Sequence, residues 1–128
     1  MILLDTSALI DCLTGPKRSA PAVRAALERG ERIVLATLVL YEWLRGPRLA
    51  EETAAQEALF PARSAIAFGA EEAARAAALY RALARPRGRE LDLAVAACAL
   101  VWDARLWTLN VADFRDVPGL SVARPARA

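Results

Sequence analysis

At 128 residues the chain has room for one hydrophobic core, since two would each fall near the size at which a core stops being self-sufficient, and residues 1–128 read as a single domain. A net charge of +2 and a pI near 8.8 fall short of the pI above about 9 expected of a dedicated nucleic-acid binder. The absence of histidine and the presence of a single lysine, Lys17, exclude a Ser-His-Asp triad, imidazole general acid–base chemistry, imidazole metal sites and a P-loop.

Residues 1–4 form a short apolar run that reads as a buried strand whose end delivers Asp5. Asp5-Thr6-Ser7 then suits the cap of a helix running to residue 12 or 13, broken by Gly15-Pro16. Pro21 opens a second helix through residue 29, closed by Gly30. Residues 33–36 make a second apolar run, followed by Thr37 as a cap and a helix over 38–45 that stops at Gly46-Pro47. A helix over 49–59 and, after Pro61, a third strand within 62–68 are expected next. Residues 70–84 form a strong helix with Glu71 and Glu72 in its first turn and Arg81 and Arg85 near its last, an order that suits the helix dipole. A basic loop, 85–89, leads into an apolar helix over 91–102 that carries Asp92 near its start. Residues 106–109 read as a strand, 111–114 as a single turn and 120–123 as an edge strand.

Strands alternating with helices in this manner predict a three-layer α/β/α sandwich with a mainly parallel central sheet. Sites in such sheets lie beyond the carboxyl ends of the strands, at the switch point of the topology. No run reaches the roughly 18 apolar residues of a membrane span, and residues 1–5 lack the pattern of a signal peptide, so a soluble cytoplasmic protein with no membrane partner is expected. Cys12 and Cys98 sit in apolar stretches without metal-type spacing and read as buried free thiols.

Asp5 closes the first strand, Glu42 lies in the second turn of the helix after the second, Asp92 opens the helix before the last long strand, and Asn110 and Asp113 follow that strand. Separate segments thus bring acids toward one sheet edge. Glu42 interrupts an otherwise apolar helix, where an unpaired buried carboxylate costs several kcal/mol. Asp92 shares a helical face with Ala96 and Ala99, small residues that let the helix approach the sheet. Converging carboxylates repel by roughly 4 kcal/mol per pair at about 4 Å and an effective dielectric near 20. A divalent cation removes that penalty, and an all-oxygen donor set selects Mg²⁺ or Mn²⁺. Such a site suits phosphodiester hydrolysis without histidine.

The segments Leu4-Asp5-Thr6-Ser7-Ala8-Leu9-Ile10, Thr37 through Glu42 with Gly46, Asp92-Leu93-Ala94-Val95-Ala96-Ala97 and Leu106-Trp107-Thr108-Leu109-Asn110-Val111-Ala112-Asp113-Phe114 resemble the PIN domain, and more narrowly the VapC toxins of VapBC toxin–antitoxin pairs. The resemblance implies a Mg²⁺- or Mn²⁺-dependent endoribonuclease, usually a homodimer, held inactive by an antitoxin. By position it makes Asp5, Glu42, Asp92 and Asp113 the catalytic and metal-binding acids, with Thr6, Ser7, Thr108 and Asn110 as supporting polar residues. Asn110 departs from the aspartate that many PIN domains carry there, so the fourth site residue is either Asn110 or Asp113.

Arg87 and Arg89 flank the start of the Asp92 helix and are expected to meet RNA phosphates, while Arg45 and Arg48 beside Gly46-Pro47 suit RNA or the antitoxin. Trp43, Trp102 and Trp107 read as core or subunit interface rather than base-stacking platforms. The helix over 38–44 offers Val39 and Trp43 on one stripe and Leu40 and Leu44 on another, more apolar surface than one buried side needs, which points to a second copy or an antitoxin segment. A receiver domain would require a lysine late in the chain, and a haloacid-dehalogenase-like phosphatase a second acid where Ser7 stands. A PIN-fold scaffold without catalysis is the remaining alternative, disfavoured by retention of all four acids.

Overall fold

The computed structural model describes residues 1–127. Its sheet is built from β1 (Ile2–Leu4), β2 (Ile33–Val34), β3 (Arg105–Trp107) and β4 (Val122–Ala123), all parallel, in the order β2-β1-β3-β4. The helices are α1 (Thr6–Leu13), α2 (Ala20–Glu28), α3 (Thr37–Arg45), α4 (Ala50–Leu59), α5 (Ala70–Ala82) and α6 (Glu90–Val101). The architecture is the three-layer α/β/α sandwich with a parallel sheet that the alternation of elements predicts.

β1 is buried at every residue, as a central parallel strand covered on both faces must be. From β1 the chain steps outward to β2, then returns past β1 to lay down β3 on its other side. The topology therefore reverses between β1 and β3, and the carboxyl ends of those two strands frame the crevice where such folds bind ligands. The N–H of Asp5 donates to the Trp107 carbonyl at 2.8 Å, which extends the β1–β3 ladder to the rim of that crevice.

α6 is buried over seven consecutive residues, Leu93 to Ala99, the pattern of a helix covered on all sides. Its alanines at 94, 96, 97 and 99 allow close approach to β3 on one side and to α5 on the other. α4 and α5 start where Glu52 and Glu72 accept the backbone N–H of Leu49 and Gly69, at 2.8 and 3.2 Å, one half of a capping box in each case. Trp43 and Trp107 are buried in the core. Trp102 is half exposed and donates its indole N–H to Glu72 at 3.2 Å.

Two local expectations are corrected. The strand expected within 62–68 is reduced to a single parallel bridge between Ala36 and Ile66, because Ala62–Ser64 coil into a 3₁₀ turn after Pro61. Ile66 alone of that segment is buried, and one inward side chain does not sustain a strand. The expected caps also differ. Asp5 takes the position before α1 with extended backbone but makes no side-chain cap bond, and Thr37 is the first residue of α3, with its hydroxyl accepting from the N–H of Phe68 at 3.3 Å. Both side chains have tertiary partners that compete with the helix end. No helix among the described residues is long and apolar enough to cross a membrane.

Candidate active site

Asp5 is buried at the carboxyl end of β1, where Thr108, one residue beyond β3, donates its hydroxyl to Oδ2 at 2.8 Å. Thr108 has one hydroxyl proton and commits it to Asp5. The contact of 3.1 Å between the Ser7 and Thr108 hydroxyls therefore has Ser7 as donor. Ser7 has a second, longer acceptor in Asp5 Oδ2 at 3.5 Å. The two hydroxyl oxygens in turn accept the backbone N–H of Leu109 at 3.0 Å and of Asn110 at 3.1 Å. Every member of this small network is thus satisfied, and Asp5 is held in one orientation. Burial raises its carboxyl above the usual value, opposed by the Thr108 hydrogen bond and reinforced by the charge of Glu42.

Glu42 projects from the second turn of α3 and is largely, not wholly, buried. Thr6 donates its hydroxyl to Oε1 at 2.7 Å, and Arg45, one turn along the helix, stands 3.6 Å from Oε2. These are the compensation that an acid inside an apolar helix requires. Arg45 also lies over the ring of Tyr41, 5.2 Å from its centroid.

Asp92 sits in the first turn of α6, half-buried, and its carboxyl is pushed up to about 6. Burial is the largest cause, followed by the charges of Asp5, Asp113 and Glu42, with Arg89 opposing. The acids expected from the sequence therefore share one electrostatic site. Asp113 is exposed on the 3₁₀ turn Val111–Phe114, whose first N–H···O bond runs from Asp113 to the carbonyl of Asn110 at 3.0 Å. Asn110 is exposed at the entry to that turn.

The carboxylates gather without closing into a coordination shell: among the described residues no three acidic, histidine or cysteine side chains stand close enough to hold a metal ion as placed. The donor chemistry nonetheless fits a hard divalent cation, because the ligands on offer are carboxylate and hydroxyl oxygens and because their mutual repulsion is visible at Asp92. The thiols do not compete. Burial pushes Cys12 and Cys98 up to about 11, so both stay protonated at neutral pH.

The basic loop divides its labour. Arg89 donates to both oxygens of Asp116 at 2.8 and 2.6 Å and to the carbonyl of Asp113 at 2.9 Å, so most of its donors are taken up by the chain itself. It ties the start of α6 to the turn that carries Asp113. Arg87 is exposed, and no ion pair among the described residues includes it. Asp116 is the residue the sequence did not single out. Its signal is its place three residues after Asp113, just past the turn that carries it.

The PIN domain model matches residues 2–120. Ribonuclease VapC19 of Mycobacterium tuberculosis is 36% identical over 126 residues, covering 94% of this chain and 97% of its own length. Among solved structures, the DNA-bound VapBC of Salmonella typhimurium superposes with a TM-score of 0.79 at 19% identity over 98% of both chains. VapBC2 of Rickettsia felis, bound to a DNA fragment from its promoter, does so with a TM-score of 0.74 at 22% identity, over 97% of this chain and 98% of the other. Those structures share the fold, and the sequence match adds the lineage: the chain belongs to the PIN domain family, in its VapC branch.

Proposed function

We propose that this chain is a Mg²⁺- or Mn²⁺-dependent endoribonuclease, the toxin of a type II toxin–antitoxin pair acting in the cytoplasm. The observation that carries the reading is the convergence of Asp5, Glu42, Asp92 and Asp113, from four segments, on the switch point between β1 and β3. The relative named Ribonuclease VapC19 supports RNA as substrate, and the VapBC complexes among the structural neighbours support an antitoxin partner.

Asp5, Asp92, Asp113 and Glu42 would hold the ion. The chemistry such an ion supplies is Lewis-acid: water becomes a nucleophile near neutral pH and the charge on a phosphodiester is offset. The chain's own residues do the rest. Thr108 and Ser7 fix the rotamer of Asp5, and Thr6 fixes Glu42 while Arg45 balances its charge. Asp113 serves as the fourth acid, with the Asn110 amide beside it as a neutral polar group. Arg87 meets RNA phosphate, and Arg89 acts on the site through Asp113 and Asp116.

Apolar side chains left open supply the partner surfaces. On α3, Val39 and Trp43 are buried while Tyr41 and Leu44 are 57% and 53% exposed. Leu38 of the same helix borders a groove of about 480 Å³ shared with Phe68, Tyr80 and Leu91. A second copy of the chain, in a homodimer, covers that groove.

The test is cleavage of total RNA by antitoxin-free protein with Mg²⁺ or Mn²⁺, beside an Asp92→Asn protein purified identically. Cleavage is expected only from the first, and only until a chelator is added. Equal cleavage by both would expose a contaminant, and no cleavage by either would leave a binding scaffold.

A further inference from the structure

Next to the acids, α1 and the loop after it border two adjoining clefts. The first, about 370 Å³, has Ser7, Ile10, Thr14, Arg18 and Leu109 in its walls. The second, about 220 Å³, is walled by Ser19, Arg124 and Pro125 among others. Asp11, Arg18 and Leu109 line both, so the two clefts adjoin as one channel, and Ser7 of the Asp5 hydroxyl network stands in its wall.

The peptide of Leu109 links the two ends. Its N–H donates to Ser7 Oγ at 3.0 Å and its carbonyl accepts from Arg124 Nη1 at 2.8 Å. Arg124 is thus held at a set distance from the site, and among the described residues its other donors meet no acceptor. Arg18 and Arg124 are exposed, and neither enters an ion pair among the described residues. The one acid in the channel wall, Asp11, accepts the hydroxyl of Ser19 at 2.5 Å. Two guanidinium groups against one carboxylate leave the channel cationic, in contrast to the acid site that Ser7 adjoins.

We infer that this channel carries the RNA strand away from the candidate active site, with Arg18 and Arg124 holding its phosphodiesters. The inference rests on the ribonuclease reading above and adds where the substrate runs. A strand cut within its length must be held beyond the scissile bond, and a planar guanidinium matches a phosphate through paired N–H donors. Each phosphate contact to a single strand releases counterions, so each should add about 0.7 to the slope of log affinity against log salt.

The experiment measures anisotropy of a labelled single-stranded RNA of mixed sequence with chelator present, so that nothing is cut, from about 50 to about 200 mM salt. Arg18→Ala and Arg124→Ala are each expected to weaken binding roughly five- to tenfold and to lower the salt slope by about 0.7. Arg124→Lys should keep the slope, because the charge remains, and Asp11→Asn should tighten binding. Arg63→Ala, in the exposed 3₁₀ turn far along the chain, should change nothing. Unaltered binding by the Arg18 and Arg124 variants, where the wild-type protein binds the RNA and cleaves it with metal, overturns the channel alone. Loss of slope in Arg124→Lys equal to that in Arg124→Ala overturns it as well, since Arg124 would then only brace Leu109. Wild-type protein that neither binds nor cleaves RNA sinks the ribonuclease reading together with the channel.

Discussion

Asp92 is the residue at which the gathering of acids has a thermodynamic signature. Its carboxyl, ordinarily at 3.8, is pushed up to about 6 by burial and then by Asp5, Asp113 and Glu42. A carboxyl raised in this way stabilises the fold while protonated. The contribution is complete below about 3.8 and is lost as pH rises through about 6. Asp5 is raised as well and acts in the same direction. Metal-stripped protein should therefore melt a few degrees lower at pH 7.5 than at pH 5. Asp92→Asn should flatten that slope, and Mn²⁺ at neutral pH should recover the loss in wild type but not in the variant. Melting curves across pH with and without Mn²⁺ read all of this, and an identical slope in Asp92→Asn would place the repulsion elsewhere.

Between elements, the Arg89 fork decides how α6 and the Asp113 turn sit relative to each other. Asp92 rides on the first and Asp113 on the second, so the spacing of two acids depends on the side chain of the residue that caps the head of α6. An arginine contacting RNA and an arginine positioning the site predict opposite results for Asp116→Asn. If Arg89 met RNA, releasing it from Asp116 would tighten RNA binding. With Arg89 as the tie, Asp116→Asn should leave RNA affinity and its salt slope unchanged while weakening Mn²⁺ affinity roughly tenfold, the scale of losses seen when the orienting partners of metal ligands are removed. Calorimetry for the metal and anisotropy for RNA separate the two, and the Arg89→Ala, Asp116→Asn double variant should be no worse than either single one.

At the scale of the whole molecule, the open apolar side chains are where the proposed second copy would pack. Leu91 and Tyr80 are 39% and 37% exposed on the groove beside α3, in a chain whose other large apolar residues mostly lie in the core. Sedimentation at micromolar concentration should show a dimer. Leu91→Arg should convert it to a monomer that keeps its fold, because the side chain is outside the core. A wild-type monomer at that concentration would reassign the groove to another partner.

The alternation of short apolar runs with helices, the turns at Gly15-Pro16 and Gly46-Pro47 and the ends of the helices were legible in the sequence, because they depend on local periodicity and on glycine and proline backbones. So were the positions of the acids, since Asp5 ends one apolar run and Glu42 interrupts another that nothing local explains. The 62–68 strand was misread for the same local reason: apolar content is visible in sequence, but whether a neighbouring strand edge lies within reach is not, and here only Ile66 found one. Caps failed where a distant residue outcompeted the helix end, as Thr108 did for the carboxylate of Asp5 and Phe68 for the hydroxyl of Thr37. The sequence by itself determined which residue types are present and in which elements, and therefore that any chemistry here uses carboxylates rather than imidazoles. Only the tertiary structure decided that β3 returns to the far side of β1, that Arg89 turns to Asp116 and that Leu109 joins the Asp5 network to Arg124, because each of these pairings joins residues far apart in the chain through contacts that no local pattern encodes.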